Sequence, residues 1–281
     1  VSAACEVHKR FESILPDGLL WVENPETGDR VRIVPGEFRE NDTRVGRHYP
    51  VSSGAIERFM KRWETAYSEL NKFETILHTA AAHHRLLWIH PFADGNGRVA
   101  RLISYSTFLD TLDTGGIWSI ARGLSRESEQ YKQKLATCDL EKRNDLDGRG
   151  HLSEEELVKF TRFFLETCLD QIQFMEKLMN PAELRNRIIN WARDEERTGS
   201  LPDCSTSVLA HILTHRELPR KDVVEVVDLT ARKSRRVTAE LHKRGVITAD
   251  THKAPFRIAF PADLAPRFMP GLYPRLPERP E

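Results

Sequence analysis

Residues 90–98 read His90-Pro91-Phe92-Ala93-Asp94-Gly95-Asn96-Gly97-Arg98, and Arg101 follows one turn later. The stretch lies between two segments with helical periodicity, about Glu74–Trp88 and Val99–Leu112. Gly95-Asn96-Gly97 stands directly before the second helix, so free backbone N–H groups and the positive helix end face outward together. Such a nest binds phosphate, and glycine lets the backbone come close. Arg98 and Arg101, three apart on the first turn, present two forked donors to one polyphosphate. Asp94 supplies a hard oxygen beside those phosphates, which is how Mg²⁺ is usually held: one carboxylate, phosphate oxygens and water. His90 ends the preceding helix and suits taking a proton from an attacking hydroxyl, its ordinary pKa being near neutrality. Pro91 breaks the helix, and Phe92 is expected to plug the loop into the core.

Around this motif, 281 residues leave room for two domains. Hydrophobic residues at 40% and charged residues at 30% fit a soluble globular chain. No run approaches a membrane span and no charged-then-apolar leader opens the sequence. Cys5, Cys138, Cys168 and Cys204 lack CxxC spacing, which argues against a disulfide framework or zinc site and for a reducing cytoplasm. The formal net charge is zero, so no global field announces nucleic acid or membrane. Val1 in place of Met is expected of a trimmed or processed chain.

The pattern predicts a mainly α chain. Residues 1–15 are expected helical and stopped by Pro16-Asp17-Gly18. Leu19–Val34 reads as turns and short strands, and the polar stretch Gly36–Pro50 as a small β-hairpin. Ile56, Phe59, Met60, Trp63, Ala66, Tyr67 and Leu70 mark one face of a helix from Ser53. Helices are also expected over Ser125–Thr137 and Ser153–Met179, the latter opening on a Ser153/Glu156 cap. Asn180-Pro181 marks a boundary. Beyond it come helices near Ala182–Arg197, Ser205–His215, Arg220–Val227 and Leu229–Arg244, and then a two-stranded wing in Val246–Phe260. That order resembles a winged helix-turn-helix. The expected domains are residues 1–180, 181–260, and an irregular proline-rich tail over 261–281.

The motif HPFx(D/E)GNGR is the signature of Fic-domain proteins, which this sequence resembles without a departure. Around it, His83 and Ile89 look like the family's approach helix. Gly36-Glu37-Phe38-Arg39 with Val45-Gly46 and Pro50 looks like the flap over the active site (about 36–50). Tyr131 and Leu135 are similar to the family's Tyr-Tyr-x-x-Leu stretch, with Lys132 in place of the second tyrosine. The resemblance covers roughly residues 1–180. It implies a helical bundle with a β-hairpin flap and a protein adenylyltransferase using ATP and Mg²⁺. His90 would be the base, with Asp94 on the metal and Gly95, Asn96, Gly97, Arg98, Arg101 and Tyr131 on the nucleotide. Arg44, Val45 and Gly46 would hold the target protein by strand pairing. Family members that act as kinases carry Lys in the motif's second half, and Gly97 and Arg98 argue against that variant.

Other features have plainer readings. His83 and His84 are expected in packing or surface roles, because no HExxH or His-Asp pair accompanies them. Asp145–Glu156 imitates a calcium loop, but Arg149 puts a cation at a ligand position, so a turn is expected. Ser53–Glu57 resembles the start of the family's inhibitory Ser/Thr-x-x-x-Glu helix, but Arg58 follows and the expected reading is an ordinary helix start. Any such brake is expected upstream of Val1. Arg232, Lys233, Arg235, Arg236, Lys243 and Arg244 make one C-terminal helix basic, although residues 181–281 carry only 18 Lys+Arg against 14 Asp+Glu, a net of +4. DNA, a docking protein or a homodimer partner are the readings for that domain, and the fusion implies a bacterial source. Rival functions are transfer of another nucleotide or phosphate-linked group, a DNA-binding regulator with a vestigial site, and removal of AMP.

Overall fold

The computed structural model describes residues 2–23, 28, 30–46, 48–112, 118–148 and 150–273. The chain falls into two units, 1–173 and 174–281. The first holds α1 (Ser2–Glu12), β1 (Trp21–Glu23), β2 (Arg30–Arg32), α2 (Ile56–Tyr67), α3 (Lys72–Ile89) and α4 (Asn96–Leu112). After these come α5 (Ile120–Arg126), α6 (Ser128–Thr137) and α7 (Glu154–Leu178), whose last turn passes into the second unit. There follow α8 (Pro181–Arg197), α9 (Ser205–His215), β3 (Glu217–Leu218), α10 (Val223–Val227) and α11 (Ala231–Lys243). β4 (Ile247–Thr248), β5 (Phe256–Ile258) and α12 (Ala265–Phe268) complete the described elements. The chain is mainly α, as the periodicity predicts.

In the first unit α3 is the element that aims the site. Asn71 starts it through a capping box: its Oδ1 accepts from the N–H of Phe73 and Glu74, while Glu74 Oε2 accepts from the Asn71 N–H. The helix buries Leu86 and Ile89 against Ile56 and Met60 of α2, Val99 and Ala100 of α4, and Ala4 of α1. Phe92, with no exposed surface, joins the same core. A buried residue of this size contributes roughly 2–3 kcal/mol relative to exposure, so the loop is seated by its own sequence. A second aromatic cluster forms where Phe160 and Phe164 of α7 meet His83 of α3, Tyr131 of α6 and Phe108 of α4.

The regular β-hairpin lies upstream of the expected flap. β1 and β2 pair antiparallel, Val22 opposite Val31, whereas the pairing seen among the described residues of 36–50 is that of Val45 and His48, each N–H on the other's carbonyl at 3.0 Å. The physical reason is Arg39, which is buried and spends its guanidinium on loop carbonyls: Nη1 donates to Asn41 and Nη2 to Val51. A segment organised by one central side chain needs no ladder.

The loop before α7 works as a cap. Asp147 accepts from Ser153 Oγ at 2.8 Å and from the Glu155 N–H at 2.9 Å. These bonds, the Glu155 N–H foremost, hold its carboxyl at about 2. Ser153 Oγ accepts from the Glu156 N–H, while the Glu156 carboxylate turns to Lys159 and Arg143. Arg149 lies outside the described residues.

In the second unit α8 and α9 bury Ile188, Trp191, Val208, Leu209 and Ile212 around a three-stranded sheet of order β3-β5-β4, both pairings antiparallel. Strand β3 is additional to the expected wing. Residues 262–268, expected irregular, contain a 3-10 turn and α12. Pro266 sits in the first turn, where its missing N–H costs least, and Phe268 packs edge-on against Trp191, ring centroids 5.2 Å apart. Residues 274–281 of the expected tail lie outside the described residues.

Candidate active site

His90 caps α3 in the left-handed region, φ 52° and ψ 61°, its N–H on the Leu86 carbonyl. A non-glycine residue there costs about 1–2 kcal/mol, so neighbours must enforce it. Arg39 does so from the loop, donating Nε to the His90 carbonyl at 2.8 Å and its own N–H to the Pro91 carbonyl at 2.9 Å. Asn96 does so from within: Oδ1 accepts from the Phe92 N–H at 3.0 Å and Nδ2 donates to the Phe92 carbonyl at 2.8 Å. The Asn96 side chain is 3% exposed and wholly committed to closing the turn. What it turns toward solvent is backbone. The Val99 N–H is the first to close on a helical carbonyl, that of Gly95, so the N–H groups of Asn96, Gly97 and Arg98 precede the ladder.

Gly95 has φ +80°, and a Cβ there would meet Glu12 Oε1 at 2.6 Å and the His8 ring at 3.2 Å. The loop thus rests on α1. His8 stacks on Phe92, centroids 4.0 Å apart and planes 4° apart. Its Nδ1 accepts from the Gly36 N–H and its Nε2 reaches the Asp94 carbonyl, so the ring is neutral with its proton on Nε2. Burial lowers its pKa, consistent with that form.

The two arginines have different surroundings. Arg98 Nη2 contacts Asp94 Oδ2 at 2.7 Å and Glu12 Oε1 at 3.3 Å, its guanidinium lies over Phe11, and its buried Nε has no partner among the described residues. Glu12 is fully buried, its Oε2 has no partner among the described residues, and burial raises its pKa. Arg101 curls beneath Gly97, where a Cβ would meet Nη1 at 3.2 Å. It hydrogen-bonds Tyr131 and has no acidic partner among the described residues. Tyr131, 7% exposed, therefore supports Arg101 and turns its hydroxyl inward to His83 Nε2 at 2.7 Å. Ser104 Oγ donates to the Ala100 carbonyl, so His83 Nδ1 donates to Ser104 and Nε2 accepts from Tyr131. Burial drives His83 down to about 3 and Tyr131 up to about 12, which keeps the pair neutral.

His90 itself is half-buried, and desolvation lowers it to about 4 despite a hydrogen bond to the Leu87 carbonyl. One ring nitrogen is thereby a donor and the other keeps its lone pair. Asp94 is half exposed beside the nest. On the loop, Arg44 Nε donates to the Gly46 carbonyl and its guanidinium lies over Tyr49, while Val45 is exposed. His48 anchors this loop to α3 through the Trp88 carbonyl and to Asp139, which also meets His84. A cleft lined by Val22, Val31, Ile33, Phe38 and Glu40 reaches Ala93 of the motif.

Sequence reasoning missed His8, Glu12 and Arg39. Only Arg39 carried a signal, standing in the Gly-Glu-Phe-Arg stretch. The i,i+4 spacing of His8 and Glu12 puts them on one helix face but names no partner 86 residues away.

Residues 2–107 match the family model described as Fic/DOC family. Over 70 residues the chain is 41% identical to the protein adenylyltransferase Fic of Drosophila mojavensis and 40% identical to that of Drosophila melanogaster. Each overlap takes 24% of this chain and 14% of the relative, so the chain spans about one-seventh of these curated relatives. A crystal structure of a Fic family protein from Desulfovibrio desulfuricans G20 aligns over 92% of this chain and 73% of its own, with TM-score 0.41 and 15% identity. By its motif and this match, the chain carries a domain of the Fic/DOC family over residues 2–107.

Proposed function

We propose that the chain transfers AMP from ATP to a Tyr, Ser or Thr hydroxyl of another protein. The observation that carries this reading is the juxtaposition of a neutral, half-buried imidazole at the end of α3 with the open N-terminus of α4. Backbone N–H groups of Asn96, Gly97 and Arg98 suit phosphate oxygens, and the partnerless Arg98 Nε is a further donor beside them. The lone-pair nitrogen of His90 takes the hydroxyl proton. The freed oxygen bonds to the α-phosphorus, the bond from that phosphorus to the bridging oxygen breaks, and pyrophosphate leaves with the electron pair. Charge gathering on the phosphates falls on donors already fixed in place, where preorganisation is worth most.

Magnesium fits this donor set. Among the described residues no three His, Cys, Asp or Glu side chains form a cage, so Asp94 with phosphate oxygens would hold the ion, as suits Mg²⁺. When bound, it would neutralise charge on the leaving group. The cleft up to Ala93 and the loop bearing Arg44, Val45 and Gly46 support an extended target segment beside His90. The reading includes a cytoplasmic setting, supported by four free cysteines. No helix among the described residues is long and apolar enough to cross a membrane.

The test is incubation with ATP labelled at the α-phosphate, Mg²⁺ and a cell lysate, beside His90→Ala. Label on the chain or a lysate protein, reduced at least roughly 100-fold in the variant, is the expected result for loss of a general base. Label that persists in His90→Ala overturns the role of His90. Labelled UTP or CTP in parallel decides the base, which phosphate contacts alone do not read.

A further inference from the structure

The second unit carries a charged face that AMP transfer does not use. Helix α10 ends at Val227, Asp228 caps it in the left-handed region, and α11 begins three residues on, at Ala231. α11 buries Ser234, Val237, Thr238 and Leu241 on one side. At 3.6 residues per turn, Arg232, Arg235, Arg236, Ala239 and Lys243 fall within an arc of roughly 100° on the opposite side. Arg232, Arg235 and Arg236 are exposed and have no ion pair among the described residues. Lys233 flanks them, likewise exposed and unpaired, and the first acidic residue on the helix is Glu240, already occupied by Lys243 and Arg244. The acids that precede α11 in the chain belong to α10 and its two caps, at Asp222, Glu225 and Asp228.

The sheet sharpens the picture. α9, β3, α10, α11, β4 and β5 in chain order, with sheet order β3-β5-β4, is the winged helix-turn-helix arrangement. The connection between β4 and β5 exposes His252 and Lys253. Arg257 is already paired with Glu217 and Asp250, so among the described residues the wing's free cation is Lys253. Four unpaired cations on one helix within a nearly neutral unit mark a local field. A protein partner of mixed charge does not call for a cationic face interrupted only by a small residue, Ala239. A phosphate backbone does, and the small residue lets the helix approach closely. The major groove, about 12 Å wide, admits a helix of this diameter.

We propose that this unit docks on duplex DNA with α11 in the major groove, Arg232, Lys233, Arg235 and Arg236 on the phosphates that line it, and Lys253 on a flanking phosphate. With five such contacts, the counterion slope of about 0.9 per phosphate predicts a roughly 500-fold loss of affinity between about 50 and 200 mM salt.

The experiment is fluorescence anisotropy of the full chain with a labelled duplex of about 25 base pairs, at several salt concentrations and without nucleotide. Binding with that salt dependence, weakened at least about tenfold in Arg232→Glu/Arg235→Glu/Arg236→Glu, is expected. The control Arg185→Glu/Arg193→Glu, exposed cations on α8, should bind within about twofold of the parent. Circular dichroism of both variants confirms folding, since none of these side chains is buried. Absence of binding at low salt overturns the proposal, as does equal loss in the control. So does self-association through α11, seen by light scattering, without DNA binding.

Discussion

Asn96 stands in the motif where a nucleotide contact is the natural reading, yet its side chain is spent on Phe92. Asn96→Ala removes both bonds and leaves the Phe92 N–H and carbonyl buried without partners, next to a ring with no exposed surface. Each orphaned backbone group costs about 1–3 kcal/mol. With allowance for local relaxation, the pair should cost about 2–4 kcal/mol, and the first unit's thermal transition should fall by roughly 5–15 °C. Asn96→Asp is the sharper probe. It keeps an acceptor for the Phe92 N–H but sets a second oxygen against the Phe92 carbonyl, so it should destabilise although size is unchanged. Differential scanning calorimetry of both variants without nucleotide reads the effect before any phosphate is involved. If Asn96→Ala unfolds within about 1 °C of the parent while losing activity, the side chain acts on the nucleotide and the clamp is incidental.

Three further outcomes follow from the site and the network buried beneath it. His90 must be neutral to act as a base, and its folded pKa of about 4 lies below the ordinary value of 6.5. The kcat/KM profile should therefore stay flat through pH 6.5 and fall only toward pH 4, whereas a fall centred near 6.5 contradicts the burial argument. His83 is lowered from 6.5 to about 3. The stability it contributes is present above pH 6.5 and is lost as pH falls through the folded value. Its 2% exposure makes this roughly 2 kcal/mol between pH 6.5 and 4.5, readable by urea titration. Tyr131→Phe removes the donor to His83 and the acceptor for Arg101. It should raise the nucleotide KM several-fold with kcat within about twofold, and an unchanged KM would show that Arg101 needs no support.

Much of the fold was legible because its signals are local. Pro91 and the Gly95–Gly97 pair announce a helix that stops, turns and restarts, and α3 does end at Ile89 and α4 does start at Asn96. The three- and four-residue recurrence from Ile56 to Tyr67 is α2. Residues 36–50 have the polar, turn-rich composition of a hairpin, but among the described residues their pairing is confined to Val45 and His48, and the buried Arg39, which composition does not reveal, holds the rest. In the site, residue types were legible and orientations were not. Tyr131 faces His83 because Phe160 of α7 packs beside both rings, a contact set by chain far downstream.

The same distinction governs how Arg98 should be read. A sequence view makes it a phosphate ligand, and its partnerless Nε leaves that role open. Among the described residues its Nη2 is also the guanidinium that meets Glu12, a carboxylate with no exposed surface and one orphaned oxygen. Removing one member of a buried pair strands the other, at a cost often exceeding the pair's own net worth. A loss of activity in Arg98→Ala therefore mixes a missing phosphate donor with an uncompensated charge directly beneath Gly95. The two separate only in a cycle with Glu12→Gln, which removes the stranded charge while nearly conserving shape. If the double variant regains stability but not activity, Arg98 serves the phosphates. If both return together, its principal work is to hold Glu12 and the loop that rests on it.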